Sequence, residues 1–253
     1  MLNFFLSLTT LEQSLLAGIF TFLITALGSA LVLFFKDINK LFLDSMLAFS
    51  AGIMIASSFF SLLNPAIELS NSWFTITSSF MLGGLIILLC DKLITSMCQS
   101  KTTIKDLRMS LMLFISITLH NIPEGFVIGV AYASLANNNI IGALSLTLGI
   151  AIQNFPEGSA ISFPLRREGV NRTKAFIIGA LSALPEPIAA VLGALLVLKV
   201  NMILPFIMSL TAGAMIYVTV KELIPESQNN KKQGLMTLFL MLGFSLMMIL
   251  EII

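Results

Sequence analysis

The sequence predicts an all-α polytopic membrane protein with eight transmembrane helices, and three observations predict it. Of its 253 residues, 57% are hydrophobic and only 11% charged, whereas a soluble globular domain carries roughly 25% charged residues. Eight apolar runs each reach the roughly 20 residues needed to cross a bilayer, and the segments between them are too short for a soluble domain. Backbone polar groups find no water in lipid, and a helix satisfies them internally. Residues 1–253 therefore read as a single transmembrane domain. The net charge of +1 excludes a basic nucleic-acid-binding surface.

In chain order, the first run, 13–35, lacks a basic segment before it and reads as a span, not a cleaved signal. The second, 43–64, is followed by Glu68. The third, 75–96, carries Asp91 near one end, with Cys90 and Cys98 close by; two cysteines without a CxxC pair suggest neither a disulfide framework nor a thiolate metal site. The fourth and fifth, 110–133 and 141–164, are interrupted by polar residues at mid-span. The sixth, 174–197, contains Glu186 between Pro185 and Pro187. The seventh and eighth cover 203–224 and 234–252.

Loop charges orient these spans. Lys36 and Lys40; Lys101, Lys105 and Arg108; Arg166, Arg167, Arg172 and Lys174; and Lys231 and Lys232 fall in four alternate loops, while the opposite side offers only Lys199. The positive-inside rule places those four loops in the cytoplasm and both termini outside, extracellular or periplasmic.

Two internal repeats stand out. HNIPEG begins at His120 and QNFPEG at Gln153, 33 positions apart, each about mid-span in helices of opposite direction. AGIMIASSFFSLLNP from Ala51 resembles AGAMIYVTVKELIP from Ala212, 161 positions on, again in antiparallel spans; Gly18 and Gly179 share that offset. Helices 1–3 thus repeat inverted as helices 6–8, and helix 4 as helix 5. Inverted repeats imply a two-fold axis in the membrane plane, with a substrate site at the repeat interface.

The repeated hexapeptides place His120 and Glu124 on one helical face, and Gln153 and Glu157 on another, with Asn121 and Asn154 alongside. Glu186 adds a third mid-span carboxylate. A charge at the bilayer centre costs at least about 2.5–3.5 kcal/mol, and no Lys or Arg lies mid-span to compensate it. One or two divalent cations are the natural counter-charge. Pro123 and Pro156 cannot donate to the carbonyls of Leu119 and Ile152, which are left free for a cavity or ion. Gly125 with Gly129, and Gly158 with Ala160, slim the two helices for close approach. Imidazole with carboxylate and amide oxygens suits Zn²⁺, Fe²⁺, Mn²⁺, Co²⁺ or Cd²⁺.

HNIPEG followed by QNFPEG within eight spans resembles the ZIP family of metal-ion transporters, and more closely its bacterial GufA-like branch. The likeness extends over essentially the whole chain, through AGIMIASSFFSLLNPAIE, Glu186 and GAMIYVTVKELIPES. It implies a single transporter domain that carries Zn²⁺ and related ions (Cd²⁺, Fe²⁺, Mn²⁺) into the cytoplasm through a binuclear centre, by rocking or elevator-like movement, as a homodimer in the cell inner membrane. By position, the first metal would be held by His120, Glu124, Gln153 and Glu157, and the second by Asn121, Glu124, Asn154, Glu157 and Glu186. Met54, Leu146 and Ile150 match the apolar positions that plug the outward side. The chain departs from the family pattern at Gln153, where many members have His, and at Lys221–Glu222, where close relatives have His–Glu. Lys221 is expected to pair with Asp91 as a latch, and Glu68 to attract cations at the mouth. The 97–109 loop has no histidine with which to sense metal.

Other classes fit less well. An intramembrane metal hydrolase would need two or three histidines on zinc, and this chain has one histidine and no HExxH. A non-transporting metal sensor would carry an extramembrane signalling domain. A proton-coupled carrier of organic solutes would not need metal-type ligands at two equivalent depths.

Overall fold

The computed structural model describes residues 5–35, 39–70, 72–99, 118, 121–134, 140–167, 169–199 and 204–252. All regular structure among them is helical. Six helices are long and apolar enough to cross a membrane. Large apolar side chains such as Phe34, Trp73, Met81, Leu93 and Leu242 point outward, as lipid-facing surface does. The chain is an all-helical membrane protein of several spans.

Helix α1 (Thr10–Phe34) starts at a capping box: the Thr9 backbone N–H donates to Glu12 Oε2 at 2.8 Å, and the Glu12 N–H to Thr9 Oγ1 at 3.4 Å. Helix α2 (Lys40–Leu69), capped by Asn39, contains a π-helical segment, Ser58–Leu63. Helix α3 covers Trp73–Gln99, α4 residues 121–134, and α5 Ile140–Arg167. Helix α6 has two pieces, α6a (Arg172–Leu181) and α6b (Pro185–Lys199). Helix α7 (Leu204–Ser227) contains a second π-helical segment, Thr219–Leu223, and α8 covers Gln233–Ile252. The two hexapeptide helices are not among the six apolar spans. Only 14 residues of α4 are described, and the polar motif dilutes the apolar character of the 28-residue α5.

Two details differ from the sequence reading. The sixth run is not one continuous helix. Pro185 lacks an N–H for the Leu181 carbonyl, and the chain tightens into three-residue turns: the Leu184 N–H bonds Leu181 O at 3.1 Å, and the Glu186 N–H bonds Ala183 O at 3.0 Å. The second and seventh runs are interrupted by π turns, each followed by a proline. Pro65 and Pro225 have no N–H to donate, and the residue before each bonds five positions back, Asn64 N–H to Phe59 O and Ile224 N–H to Thr219 O.

Glycines set the helix contacts. A Cβ on Gly52 would stand 1.9 Å from Leu240 O, and one on Gly243 1.9 Å from Phe49 O, so α2 and α8 meet backbone to backbone. Helices α3 and α7 do the same, Gly83 against Leu210 O and Gly213 against Phe80 O, both 1.9 Å. Gly213 and Leu210 stand 161 positions after Gly52 and Phe49, and Gly243 and Leu240 stand 160 after Gly83 and Phe80. The π segments start at Ser58 and Thr219, also 161 apart. The inverted repeat therefore holds contact by contact.

The other tight approaches join α1 to α5 (Gly28 to Phe155 O, Gly158 to Thr25 O) and α4 to α6b (Gly125 to Glu186 O, Gly193 to Phe126 O). Helices α1, α4, α5 and α6 thus form one backbone-locked set, with Gly18 of α1 against Pro187 of α6b, whereas α2 with α8 and α3 with α7 form two locked pairs that meet through side chains where α2 crosses α7. Between the sets, contact runs through side chains, as where Gly149 of α5 faces Met247 Sδ of α8.

Candidate metal centre

The polar hexapeptides come together in the interior. Asn121, Glu124, Gln153, Asn154 and Glu186 are fully buried and Glu157 nearly so. Three features of the chain build this. Helices α4 and α5 are slim at Gly125 and Gly158, which brings α6b and α1 against them. The break in α6 places Glu186 in the first turn of α6b, where the helix dipole favours an anion. Pro156 removes the N–H that would bond Ile152 O.

The two asparagines are anchored by equivalent bonds. Asn121 Nδ2 donates to Ser182 O at 2.8 Å, and Asn154 Nδ2 to Thr21 O at 3.4 Å. Asn154 lies 33 positions after Asn121, and Ser182 lies 161 after Thr21, so the repeat extends into the site. The symmetry breaks at one acid: Glu186 stands where the first half has Thr25, and Asn154 Nδ2 also donates to both its oxygens at 2.9 Å.

The remaining donors are spent on carboxylates. Gln153 Nε2 reaches Glu124 Oε1 at 2.5 Å, and Ser50 Oγ lies 3.3 Å from Glu157 Oε1 and 3.2 Å from Gln153 O. Among the described residues, five oxygens of these side chains are left buried without a partner: Asn121 Oδ1, Glu124 Oε2, Gln153 Oε1, Asn154 Oδ1 and Glu157 Oε2. Unpaired buried acceptors each cost about 1–3 kcal/mol. An interior that satisfies its amide N–H groups while leaving its oxygens bare is suited to a cation.

Among the described residues, no three His, Cys, Asp or Glu side chains stand together as a ready-made ligand set. Glu124 is turned to Gln153, Glu157 to Ser50 and Glu186 to Asn154. The oxygens of carboxylates and carboxamides have to be taken jointly. His120 lies outside the described residues.

The other sequence-selected residues fall into two groups. Met54, Leu146 and Ile150 are buried, and Met54 Sδ accepts from Thr219 Oγ1 at 3.6 Å, across from α7. Lys221 Nζ lies 2.5 Å from Asp91 Oδ2 and 3.0 Å from Glu222 Oε1, all partly exposed. Glu68 is exposed on α2 and accepts from Asn64 Nδ2 at 3.2 Å. Sequence reasoning missed Ser50, a small polar residue in an apolar run that reaches Glu157. It also missed the carbonyls of Thr21 and Ser182, which no side-chain pattern marks.

The ZIP zinc transporter family model matches residues 102–251. The chain is 34% identical over 251 residues to zinc transporter ZIPB of Bordetella bronchiseptica, covering 94% of this chain and 80% of that protein. It is 30% identical to zinc transporter GufA of Myxococcus xanthus, covering 95% and 97%. It is also 30% identical to zinc transporter ZIP11 of Homo sapiens, over 95% and 96%. These relatives are named for transport, not for an enzymatic reaction. With both hexapeptides inside the aligned region, the chain belongs to the ZIP zinc transporter family.

Proposed function

We propose that the protein carries divalent transition-metal ions, Zn²⁺ foremost with Fe²⁺, Mn²⁺, Co²⁺ and Cd²⁺ in the same class, across the cell inner membrane into the cytoplasm. The observation that supports this most is the set of five bare oxygens buried among α4 and α5. In this reading the chain has eight spans with both termini outside, works as a homodimer, and binds two ions at the midplane. His120, Glu124, Gln153 and Glu157 hold one ion; Asn121, Glu124, Asn154, Glu157 and Glu186 hold the other, the shared glutamates bridging. An arriving ion draws Glu124, Glu157 and Glu186 away from their amide and hydroxyl partners, and each amide turns its oxygen inward.

Alternating access then moves the α1/α4/α5/α6 set against the α2/α3/α7/α8 set. Backbone contacts within α1/α4/α5/α6, within α2/α8 and within α3/α7 resist sliding, while side-chain contacts between the two sets allow it. Met54, Leu146 and Ile150 close the outward side. Protons compete with metal for the same lone pairs and assist release. An amide oxygen at Gln153 is a harder, weaker ligand than an imidazole nitrogen. Gln153→His is therefore expected to tighten zinc binding roughly tenfold relative to Mn²⁺, read by competition titration.

Accumulation in cells tests the function and its direction. Expression in a host stripped of its own zinc importers should raise cell zinc several-fold, and Glu124→Ala should not. Unchanged cell zinc in a host where the protein reaches the membrane would contradict the proposal.

A further inference from the structure

The inverted repeat also relates two contacts that lie far from the metal site. Ser61 Oγ of α2 donates to Glu251 Oε1 of α8. Lys221 Nζ of α7 donates to Asp91 Oδ2 of α3 at 2.5 Å. Glu251 stands 160 positions after Asp91, the offset that relates Gly83 to Gly243; Lys221 stands 160 after Ser61, the offset of Pro65 and Pro225, one less than the 161 of Gly52 and Gly213 because the second π segment is one residue shorter. Ser61 and Lys221 both lie in the π segments, and each is four residues before the proline that follows. Their own carbonyls are thus the ones that Pro65 and Pro225 leave without an α-helical donor.

Helices α2 and α7 cross where Met54 meets Thr219, and Ser58–Leu63 packs on Leu204–Val218. They therefore run antiparallel, and the two contacts fall at opposite ends of the bundle. Their chemistry has diverged. Ser61 is nearly buried and uncharged, whereas Lys221 is more than a third exposed and also neutralises Glu222.

We propose that Ser61–Glu251 and Lys221–Asp91 are one tie written twice. Together they clamp α2 to α8 and α7 to α3 where the π turns weaken the helices, so that these two locked pairs serve as the fixed frame while the site-bearing helices move. A gate would link the frame to the moving set. Both ties instead join frame to frame, between the helix pairs that the glycine contacts Gly243–Phe49 and Gly83–Leu210 already bring together, and they stay closed throughout the cycle. This rests on the transport reading above.

Covalent locking separates tie from gate. In a Cys90→Ser, Cys98→Ser background, Ser61→Cys with Glu251→Cys, and separately Asp91→Cys with Lys221→Cys, are joined by a reducible bis-methanethiosulfonate. Zinc uptake into vesicles by either locked protein should stay within about twofold of the same protein after reduction. Uptake abolished by locking and restored by reduction would overturn the proposal. Equivalence is read separately, by thermal unfolding without metal. Lys221→Ala should lower Tm by a few degrees, and Lys221→Ser with Asp91→Glu, which copies the first tie, should regain most of that loss. A copy no more stable than Lys221→Ala would refute the shared origin. Wild-type vesicles that take up no metal would sink the transport reading instead, and the unfolding comparison would still decide the ties.

Discussion

Glu157→Ala is expected to remove metal binding and to reduce transport by about 100-fold or more, a loss of roughly 2.7 kcal/mol. Glu157 is buried on α5 with one oxygen on Ser50 and the other bare, and it belongs to both ion positions of the proposed centre. Without it neither ion keeps a full oxygen set. The near-isosteric Glu157→Gln should show the same loss with the packing intact. It should also unfold at a higher temperature than wild type when metal is absent. A carboxylate buried with an unpaired oxygen costs stability unless a cation compensates it, and sites tuned for function store such costs. Thermal unfolding with and without Zn²⁺ checks both statements. Wild type should be stabilised by zinc, and both variants should be indifferent to it. A variant still stabilised by zinc would place the ion elsewhere.

Gly28→Leu is the second large effect. The position is on α1, outside the hexapeptides in sequence, yet even a Cβ there would stand 1.9 Å from the carbonyl oxygen of Phe155, inside QNFPEG. That neighbour is backbone, which cannot rotate aside, so α1 has to leave α5. Overpacking commonly costs about 1–3 kcal/mol, and a clash with a helix backbone lies at or beyond the upper end of that range. The expected outcome is a steep loss of folded protein in detergent by size-exclusion chromatography. Gly234→Ala is the matched control, because nothing lies within 4 Å of a Cβ there, and it should behave as wild type.

Much of this architecture is written openly in the chain. Long apolar runs identify helices because lipid forces backbone bonds inward. The hexapeptides mark the candidate site because glutamates within apolar runs call for a counter-charge. The Lys221–Asp91 contact follows from opposite charges at matching depth. What stays hidden depends on backbone geometry. The break at Ser182–Leu184 and the π turns at Ser58 and Thr219 are local answers to a proline, and a proline in an apolar run signals a kink without saying which. The carbonyls of Thr21 and Ser182 belong to the backbone and leave no mark in composition. Ser61–Glu251 escapes notice because serine is common in apolar helices and its partner lies 190 positions away. Once the glycine contacts set α3 against α8 and the prolines set Ser61 against Lys221, each four residues before one, that pair falls onto Lys221–Asp91.

Flux through the purified protein tests the central claim most directly. Proteoliposomes loaded with a divalent-metal dye would be exposed in parallel to Zn²⁺, Fe²⁺, Mn²⁺, Cd²⁺ and Mg²⁺, with wild type compared against Glu157→Ala. The account predicts saturable transition-metal entry, greatest for Zn²⁺, negligible for Mg²⁺, and lost in the variant. Wild-type protein that binds zinc tightly but moves none would contradict it, and the buried oxygens would then belong to a sensor or an enzyme.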